Sequence, residues 1–313
     1  MGDYCGTVDL PSSEIKRLDV YIAENLGLMP RSQIKARRLS AAVNGKIVKI
    51  SRLVKSGDDL RLSWDECPPA CIIPEDIPLN VVYEDERVIV LNKPQGMVVH
   101  PGAGNWSGTL VHALLWRFTQ RAKTTAAAGF EDGFRPFIVH RLDKDTSGLI
   151  IAAWDAGALA FLADQFKART ARKVYAAIVK GCPAQERGVI SSNIVRDKYC
   201  RKRFSVSEDG GKNAVTYYRV IKSAGGCSLL LLRPKTGRTH QLRVHLRSIG
   251  HPIIGDPLYG RPVNMRGSLA ALRPTLALHA KSLEIVLPDG KGRSRFVTKL
   301  PRRFNEFLRQ FDK

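Results

Sequence analysis

The chain has 313 residues, of which 44% are hydrophobic, enough for the buried core of one large domain or two smaller ones. This composition excludes an intrinsically disordered chain. The 50 Lys and Arg residues against 29 Asp and Glu residues leave a formal net charge of +21, which favours a polyanionic partner, with nucleic acid as the first candidate.

The positive charge is unevenly distributed along the chain. Residues 1–80 hold 11 basic and 11 acidic side chains, whereas residues 81–313 hold 39 basic and 18 acidic ones. Within the neutral part, residues 31–61 carry nine basic residues and two acidic ones. The main basic surface is therefore expected in the C-terminal three quarters, and residues 31–61 form a second candidate basic face.

The cysteines and the N-terminus predict the compartment. Six cysteines are scattered along the chain with no repeated spacing, which indicates reduced thiols rather than a disulfide framework or a structural zinc site. The first residues show no signal-peptide pattern, and no apolar run approaches the roughly 18–20 residues of a membrane span. We therefore expect a cytoplasmic protein without membrane association.

The first 65 residues predict a polar tail followed by a small α/β unit. After the polar residues 1–14, apolar residues at helical spacing predict one helix ending at Gly27 and a second from Pro30 to about Leu39. A turn at Asn44-Gly45 then precedes an alternating strand, and a second strand at residues 60–62 completes a pair.

From residue 80 onward the pattern predicts a mixed α+β domain. Four prolines between Cys67 and Pro78 cannot sustain a helix or a central strand, so we place a linker at residues 66–79. Strands and helices then follow in an irregular order, which argues against a doubly wound parallel sheet. Residues 119–134 lack any period and predict a surface loop. The predicted strands are 81–84, 87–91, 149–153, 173–180, 214–221, 228–233 and 283–287, and the predicted helices are 155–167, 239–249 and 301–311.

The segment HRLDKDTSG at residues 140–148 is the first candidate for chemistry. It places ionisable side chains between two apolar runs, and Arg141 and Lys144 flank Asp143 in a way that favours an ionised carboxylate ready to attack or to accept a proton. A turn with capping side chains would have the same local composition. A hydrolase using Ser147 is a further alternative, although the chain has no GxSxG motif.

The segment at residues 235–247 is the second candidate. It begins as a turn, with Thr239 as the expected N-cap, and continues as an amphipathic helix. Arg243 and Arg247 share one helix face, which suits phosphates or one buried carboxylate, although a solvated basic face has the same pattern. Residues 251–260 predict a rigid turn beneath the site. The chain has no GxxxxGK[ST] or HExxH motif, so we expect neither a nucleotide cofactor nor a metal.

Five motifs in order resemble the RluA/RluD family of pseudouridine synthases. The resemblance covers nearly all of residues 80–290 and implies a mixed, mainly antiparallel sheet with flanking helices. It also implies an isomerase that converts uridine in RNA to its C-glycoside isomer without a cofactor. The motifs are LNKPQGMVVHPGAGN at 91–105, HRLDKDTSG at 140–148, RKVYAAIVKG at 172–181, TGRTHQLRVHL at 236–246 and GHPIIGDPLYG at 250–260.

The resemblance also implies roles for individual residues. Asp143 matches the catalytic aspartate and Tyr175 the active-site tyrosine that lies next to the target base. Arg243 matches the basic partner of the aspartate, with Arg238 as the alternative. Arg243 would keep Asp143 charged and aimed by a two-pronged contact. Arg141 matches the position that enters the RNA stack near the flipped nucleotide. His140, Arg141 and Arg238 are therefore expected to contact RNA.

Residues 16–63 resemble an S4 RNA-binding domain, which implies RNA contacts by Arg31, Lys35 and Arg38. Here the chain departs from the pattern, because Leu39-Ser40-Ala41-Ala42 replaces the usual glycine-containing turn. The expected organisation is a polar tail at 1–14, an S4-like domain at 15–65, a linker at 66–79 and a catalytic domain at 80–313.

The combination of both resemblances implies a substrate in large-subunit (23S) ribosomal RNA, the helix 69 stem-loop, for an enzyme that acts as a monomer. A pseudouridine synthase acting on transfer RNA and a non-catalytic RNA-binding protein of ribosome assembly are the alternatives. In either catalytic case, Asp143 would add to C1′ of the sugar or take the C2′ proton, and the sequence is compatible with both roles.

Overall fold

The computed structural model describes residues 2–29, 31, 34, 38–65, 72–102, 104–124, 137–200, 202–260 and 275–304. The chain divides into two compact units, Met1–Cys71 and Ile72–Lys313. Within the described ranges, no helix is both long enough and apolar enough to cross a membrane.

The described residues of the smaller unit form one assigned helix and two antiparallel sheets. Its described elements are β1 (Gly2–Thr7), β2 (Ile15–Arg17), α1 (Leu18–Glu24), β3 (Ser40–Val43), β4 (Lys46–Val48), β5 (Leu53–Lys55) and β6 (Asp59–Trp64). One sheet has the order β1-β6-β3-β4, and β2 pairs with β5 in the other. Leu18 and Ile22 of α1 belong to the same buried cluster as Leu60 of β6. The apolar spacing of α1 therefore supplies the core of this unit.

Strand β1 occupies part of the segment expected to be a polar tail. It pairs with β6 along its whole length, from Gly2 opposite Trp64 to Thr7 opposite Asp59. Gly2 is buried, but the side chains of the next five residues are exposed or half-buried. Backbone hydrogen bonds thus hold the strand, and such pairing leaves no trace in a hydrophobicity pattern.

Two other expectations for this unit have different outcomes. Asn44 and Gly45 both have positive φ angles, 51° and 73°, as a two-residue hairpin turn between β3 and β4 requires, so the predicted turn is confirmed. The helix predicted from Pro30 to about Leu39 lies mostly outside the described residues.

The larger unit contains an eleven-stranded sheet among its described residues. Nine of its strands follow the order β13-β12-β14-β15-β11-β16-β10-β8-β7. The other two lie off this path: β17 pairs with β16, and β9 pairs with β10. Every pairing is antiparallel except that of β10 with β16. The mixed α+β class with a mainly antiparallel sheet is therefore confirmed. The strands are β7 (Val81–Glu84), β8 (Val88–Lys93), β9 (Phe137–Ile138), β10 (Ser147–Ala153), β11 (Arg172–Lys180), β12 (Arg187–Arg196), β13 (Phe204–Ser207), β14 (Lys212–Ala224), β15 (Cys227–Pro234), β16 (Leu278–Val286) and β17 (Arg293–Val297), and the helices are α2 (Leu110–Thr124), α3 (Ala156–Lys167) and α4 (Gln241–Ser248).

Strands β8 and β10 are buried on both faces. On one face Ile150 belongs to the same cluster as Leu114 of α2, and on the other Ile151 belongs to the same cluster as Leu162 of α3. Two-sided burial explains why both strands read as continuous apolar runs rather than as an alternation. It also fixes the position of the loop that enters β10.

Helix α2 corrects the loop expected at residues 119–134. Its buried residues Leu110, Val111 and Leu114 form a helical stripe, and Arg117 and Arg121 both pair with Glu84. The second half of the helix is mostly polar in sequence, so the local pattern looks aperiodic. The helix extends to Thr124, and residues 125–134 lie outside the described part of the chain.

Candidate active site

A cavity of about 910 Å³ lies in the larger unit, where the loop before β10, strand β11, the end of β15 and the start of α4 meet. It brings together Asp143, Tyr175 and Arg243, which lie far apart in the sequence. Asp143 is the one carboxylate among the described residues that line the cavity. The basic residues that line it are Arg141, Lys167, Arg169, Arg172, Lys173, Arg233, Lys235, Arg238 and Arg243.

The loop that carries Asp143 is held by its backbone. Thr146 N–H donates to the Asp143 carbonyl at 3.1 Å, and Gly96 N–H donates to the Lys144 carbonyl at 2.9 Å. The side-chain amide of Gln95 donates to the Asp145 carbonyl at 2.9 Å. The motif around residues 93–97 therefore braces the motif around Asp143, whose side chain is 25% exposed to the cavity.

Lys93 is the buried anchor of this brace. Its ammonium donates to the carbonyls of Pro94 and Met97 at 2.8 Å and to that of Lys144 at 3.2 Å, and the residue is 1% exposed. Burial lowers the pKa of Lys93 to about 8, although the charges of Asp145 and Asp143 act in the opposite direction. Lys93 is therefore a structural residue of the site.

We expect Lys93→Met to lower the free energy of unfolding by about 1–3 kcal/mol at pH 7, because buried carbonyls lose their donor. The difference from wild type should widen as the pH rises from 8 toward 10. In that range the unfolded chain binds a proton that folded Lys93 has released, so wild-type stability gains with pH. Urea unfolding at pH 7 and pH 9.5 measures both effects. A variant as stable as wild type at pH 7 would contradict this assignment.

Arg243 differs from the expected geometry. Its guanidinium forms a two-pronged ion pair with Asp256, from Nε to Oδ2 at 2.7 Å and from Nη2 to Oδ1 at 2.8 Å. The remaining Nη1 donates to Oδ2 of Asp143 at 3.3 Å. The two-pronged contact predicted for Asp143 is therefore wrong, because two of the three guanidinium nitrogens are already taken. Burial alone would lower the pKa of Arg243, but Asp256 and Asp143 raise it overall.

Asp256 is a site residue that sequence reasoning missed. It lies in the Gly- and Pro-rich turn of residues 251–260, and its side chain is fully buried. Besides pairing with Arg243, its Oδ1 accepts hydrogen bonds from the backbone N–H groups of Leu258 and Tyr259 at 2.9 and 3.0 Å. The turn beneath the site thus orients the arginine. In the sequence, Asp256 is the single carboxylate of a largely apolar turn, and this pattern was the signal for its role.

Tyr175 reaches the cavity from β11. The pairing of β11 with β16 shifts register between Val174 and Tyr175, a bulge of the kind that re-aims a side chain. The residue is 9% exposed, and burial, together with the charge of Asp143, raises the pKa of its phenol. Tyr175 therefore stays protonated and offers an aromatic surface beside Asp143.

His140 and the two remaining predicted arginines differ in their surroundings. The His140 ring stacks on Phe166 at 4.6 Å, and its Nε2 accepts the backbone N–H of Ile151 at 3.2 Å. Burial lowers the pKa of His140 to about 3, so the ring is neutral and suits a packing role better than the expected RNA contact. Arg141 is exposed on the cavity wall, and Nε of Arg238 donates to the Asn213 carbonyl at 3.1 Å.

The start of α4 is built differently from the prediction. His240, not Thr239, is the N-cap, and it has a left-handed backbone with φ of 54°. The Gln241 side-chain oxygen accepts from the Arg238 N–H at 3.0 Å and from the Thr236 hydroxyl at 2.7 Å. Gln241 therefore fixes the loop before the helix, which holds His240 in the cavity wall.

The basic residues expected to bind RNA in the smaller unit have partners of their own. Nη2 of Arg31 pairs with Asp19 at 2.8 Å, and Nη1 of Arg38 lies 4.0 Å from Asp65. The side chains of Arg31, Arg38 and Asp65 remain substantially exposed, whereas that of Asp19 is buried. Lys35 lies outside the described residues.

Ser147 does not form a hydrolase site. It is buried on β10 and does not line the cavity. Its hydroxyl lies 2.8 Å from Nδ1 of His279 and receives a hydrogen bond from Arg303 at 2.6 Å. The far nitrogen of His279 contacts Thr298 rather than a carboxylate, and burial lowers the pKa of His279 to about 4. These groups form a buried polar network that joins β10 to β16.

Comparison with known proteins identifies the family. The family described as RNA pseudouridylate synthase matches residues 87–248. The chain is 47% identical to ribosomal large subunit pseudouridine synthase D of Borreliella burgdorferi over 95% of its length and 90% of that protein. It is 40% identical to the protein of the same name from Zymomonas mobilis, over 91% and 90% of the two chains.

A solved structure shares the fold. The human RNA pseudouridylate synthase domain containing 4 superimposes with a TM-score of 0.57 at 27% identity, covering 74% of this chain and 93% of that one. The matched region includes the loop of Asp143, the tyrosine of β11 and the arginine of α4. The chain belongs to the RluA/RluD family of RNA pseudouridine synthases, and is an isomerase.

Proposed function

We propose that this enzyme converts specific uridines of large-subunit ribosomal RNA to pseudouridine, with Asp143 as the reacting carboxylate. One observation carries the proposal: Asp143 is the single carboxylate among the described residues of a cavity otherwise rich in cations. Cations attract the RNA backbone but do not react with a sugar. The carboxylate is the group with the chemistry that the isomerisation needs.

A target uridine has to leave its base stack to reach Asp143. Flipping costs a few kcal/mol, which contacts in the pocket must offset. The exposed Arg141 guanidinium on the cavity wall suits the space that the base vacates, and Tyr175 offers a ring against which the uracil can stack. The other cations of the cavity suit the phosphates on either side.

The reaction requires an ionised carboxylate beneath the sugar. In one route an Asp143 oxygen bonds to C1′ as the bond from C1′ to N1 breaks, with the electron pair left on the uracil. The base turns, C5 attacks C1′, and the carboxylate leaves. In the other route Asp143 takes the C2′ proton as the bond from C1′ to N1 breaks and a double bond forms between C1′ and C2′. It returns the proton to C2′ as C5 bonds to C1′. In both routes C5 loses a proton and N1 gains one, so no redox change occurs.

The ribosomal target is supported by the relatives named as large-subunit synthases. Within that RNA we propose the helix 69 stem-loop as the site of modification. The smaller unit, with Arg31 and Arg38 exposed, would act as an S4-like second RNA contact. We further propose that the enzyme acts as a monomer in the cytoplasm, where large subunits are assembled.

The test is incubation of the purified enzyme with unmodified large-subunit ribosomal RNA and, separately, with unmodified transfer RNA. Carbodiimide mapping by primer extension then locates each new pseudouridine. We expect modification within helix 69 of the ribosomal RNA and none in transfer RNA. Modification of transfer RNA alone would replace the proposed substrate, and modification elsewhere in the ribosomal RNA would replace the proposed stem-loop.

A further inference from the structure

His240 lies between Asp143 and a tyrosine that belongs to the turn beneath the site. Its Nδ1 is 2.8 Å from the hydroxyl oxygen of Tyr259, and its Nε2 is 3.9 Å from Oδ2 of Asp143. The rings of Phe204 and Tyr259 both meet the imidazole edge-on, at 5.6 Å. The ring is thus held from several sides while its far nitrogen faces the carboxylate.

The hydrogen bonds of Tyr259 favour one tautomer of His240. The Tyr259 oxygen already accepts the backbone N–H of Phe204 at 2.8 Å. Its own hydrogen is then free to be donated to Nδ1 of His240, which acts as the acceptor. When Tyr259 donates in this way, the proton of the neutral ring lies on Nε2, the nitrogen turned toward Asp143.

The charges around His240 favour this neutral form. Burial lowers the pKa of the imidazole, and the cations Arg243 and Arg141 lower it further, whereas Asp143 and Asp256 act in the opposite direction. A neutral ring with a fixed tautomer presents one N–H donor to the carboxylate. It adds no second full charge to compete with Arg243.

Both donors converge on the same oxygen of Asp143. Nη1 of Arg243 lies 3.3 Å from Oδ2, and Nε2 of His240 lies 3.9 Å from that same atom. Among the described residues, no donor contacts Oδ1. The second distance exceeds a hydrogen bond, but catalytic contacts often tighten when the substrate binds. Oδ1 is therefore the oxygen left to meet the sugar.

We propose that His240 is a positioning residue of the isomerisation, oriented by Tyr259, which together with Arg243 fixes Oδ2 of Asp143 so that Oδ1 reacts. The inference rests on the proposed role of Asp143 as the reacting carboxylate. The backbone of His240 supports it. A non-glycine residue with φ of 54° is strained, and such strain is retained where the surrounding structure holds a side chain in a needed place.

The test compares two replacements of His240 that differ in one property. In His240→Gln the side-chain amide places an N–H donor near the former Nε2, whereas His240→Leu has a similar volume without a donor. We expect His240→Leu to lower kcat roughly 10- to 100-fold, as misplaced reacting groups do, with KM for RNA nearly unchanged. His240→Gln should retain most of kcat.

Tyr259→Phe tests the orienting step. It removes the O–H donor to Nδ1 and should lower kcat in the wild-type background but add little in the His240→Leu background. If His240→Leu does not fold, Tyr259→Phe decides alone: a lower kcat at unchanged RNA affinity supports the proposal, and an unchanged kcat overturns it.

The outcomes also separate this inference from the proposed function. The inference is overturned if His240→Leu keeps wild-type kcat, or if His240→Gln is as slow as His240→Leu. Either result would leave the role of Asp143 standing. If Asp143→Asn were active, Asp143 would not be the reacting carboxylate, and the proposed function and this inference would both fail.

Discussion

Asp143→Asn is expected to abolish pseudouridine formation while RNA binding stays close to wild type. The amide has nearly the shape of the carboxylate and can still accept from Nη1 of Arg243, so the cavity should keep its form. It carries no charge, and it can neither add readily to C1′ nor take the C2′ proton. We expect a loss of roughly 10⁴-fold or more in the single-turnover rate constant, the upper end for removal of an acid–base group.

The matched control for this experiment is two residues away. Asp145 shares the loop, but it does not line the cavity, and it is the carbonyl of Asp145 that Gln95 holds. Asp145→Asn should therefore modify RNA at close to the wild-type rate. Filter binding would measure RNA affinity for both variants alongside carbodiimide mapping of the product. Residual modification by Asp143→Asn at the wild-type rate would refute the proposed chemistry.

Much of the fold of the larger unit follows from local patterns. Apolar runs such as residues 149–153 become buried strands because both faces are covered, and the helix predicted at 155–167 is observed at Ala156–Lys167. Strands β12, β13 and β17 were not predicted. Their side chains are mostly exposed or half-buried, so backbone pairing with distant partners defines them rather than composition.

The residues of the site also fall into two groups: those that a local sequence motif identifies and those that only contacts between distant segments identify. Asp143, Tyr175 and Arg243 were identified from motifs, and the structure brings all three to one cavity. The partners that orient them were not identified. Asp256 and His240 act through contacts with residues 13 and about 100 positions away in the sequence, and no local pattern encodes such distances.

Asp256→Asn is expected to cause the largest loss of stability of any single substitution considered for the site, together with loss of activity. The amide offers one oxygen where the carboxylate offers two, so the guanidinium of Arg243 loses its two-pronged partner while it stays buried. Breaking a buried ion pair from one side costs about 3–5 kcal/mol. Whichever way the amide turns, its nitrogen meets a donor: the backbone N–H groups of Leu258 and Tyr259 at the Oδ1 position, or Nε of Arg243 at the Oδ2 position.

A double variant separates the structural effect from the catalytic one. Arg243→Met with Asp256→Leu replaces the pair by apolar side chains, which often restores the stability lost when one partner is removed. Urea unfolding should place the double variant well above Asp256→Asn in stability. It should nevertheless remain inactive, because Asp143 has lost the Nη1 donor of Arg243. Wild-type stability in Asp256→Asn would show that the ion pair contributes little. A stable and active double variant would show that Asp143 does not need the arginine.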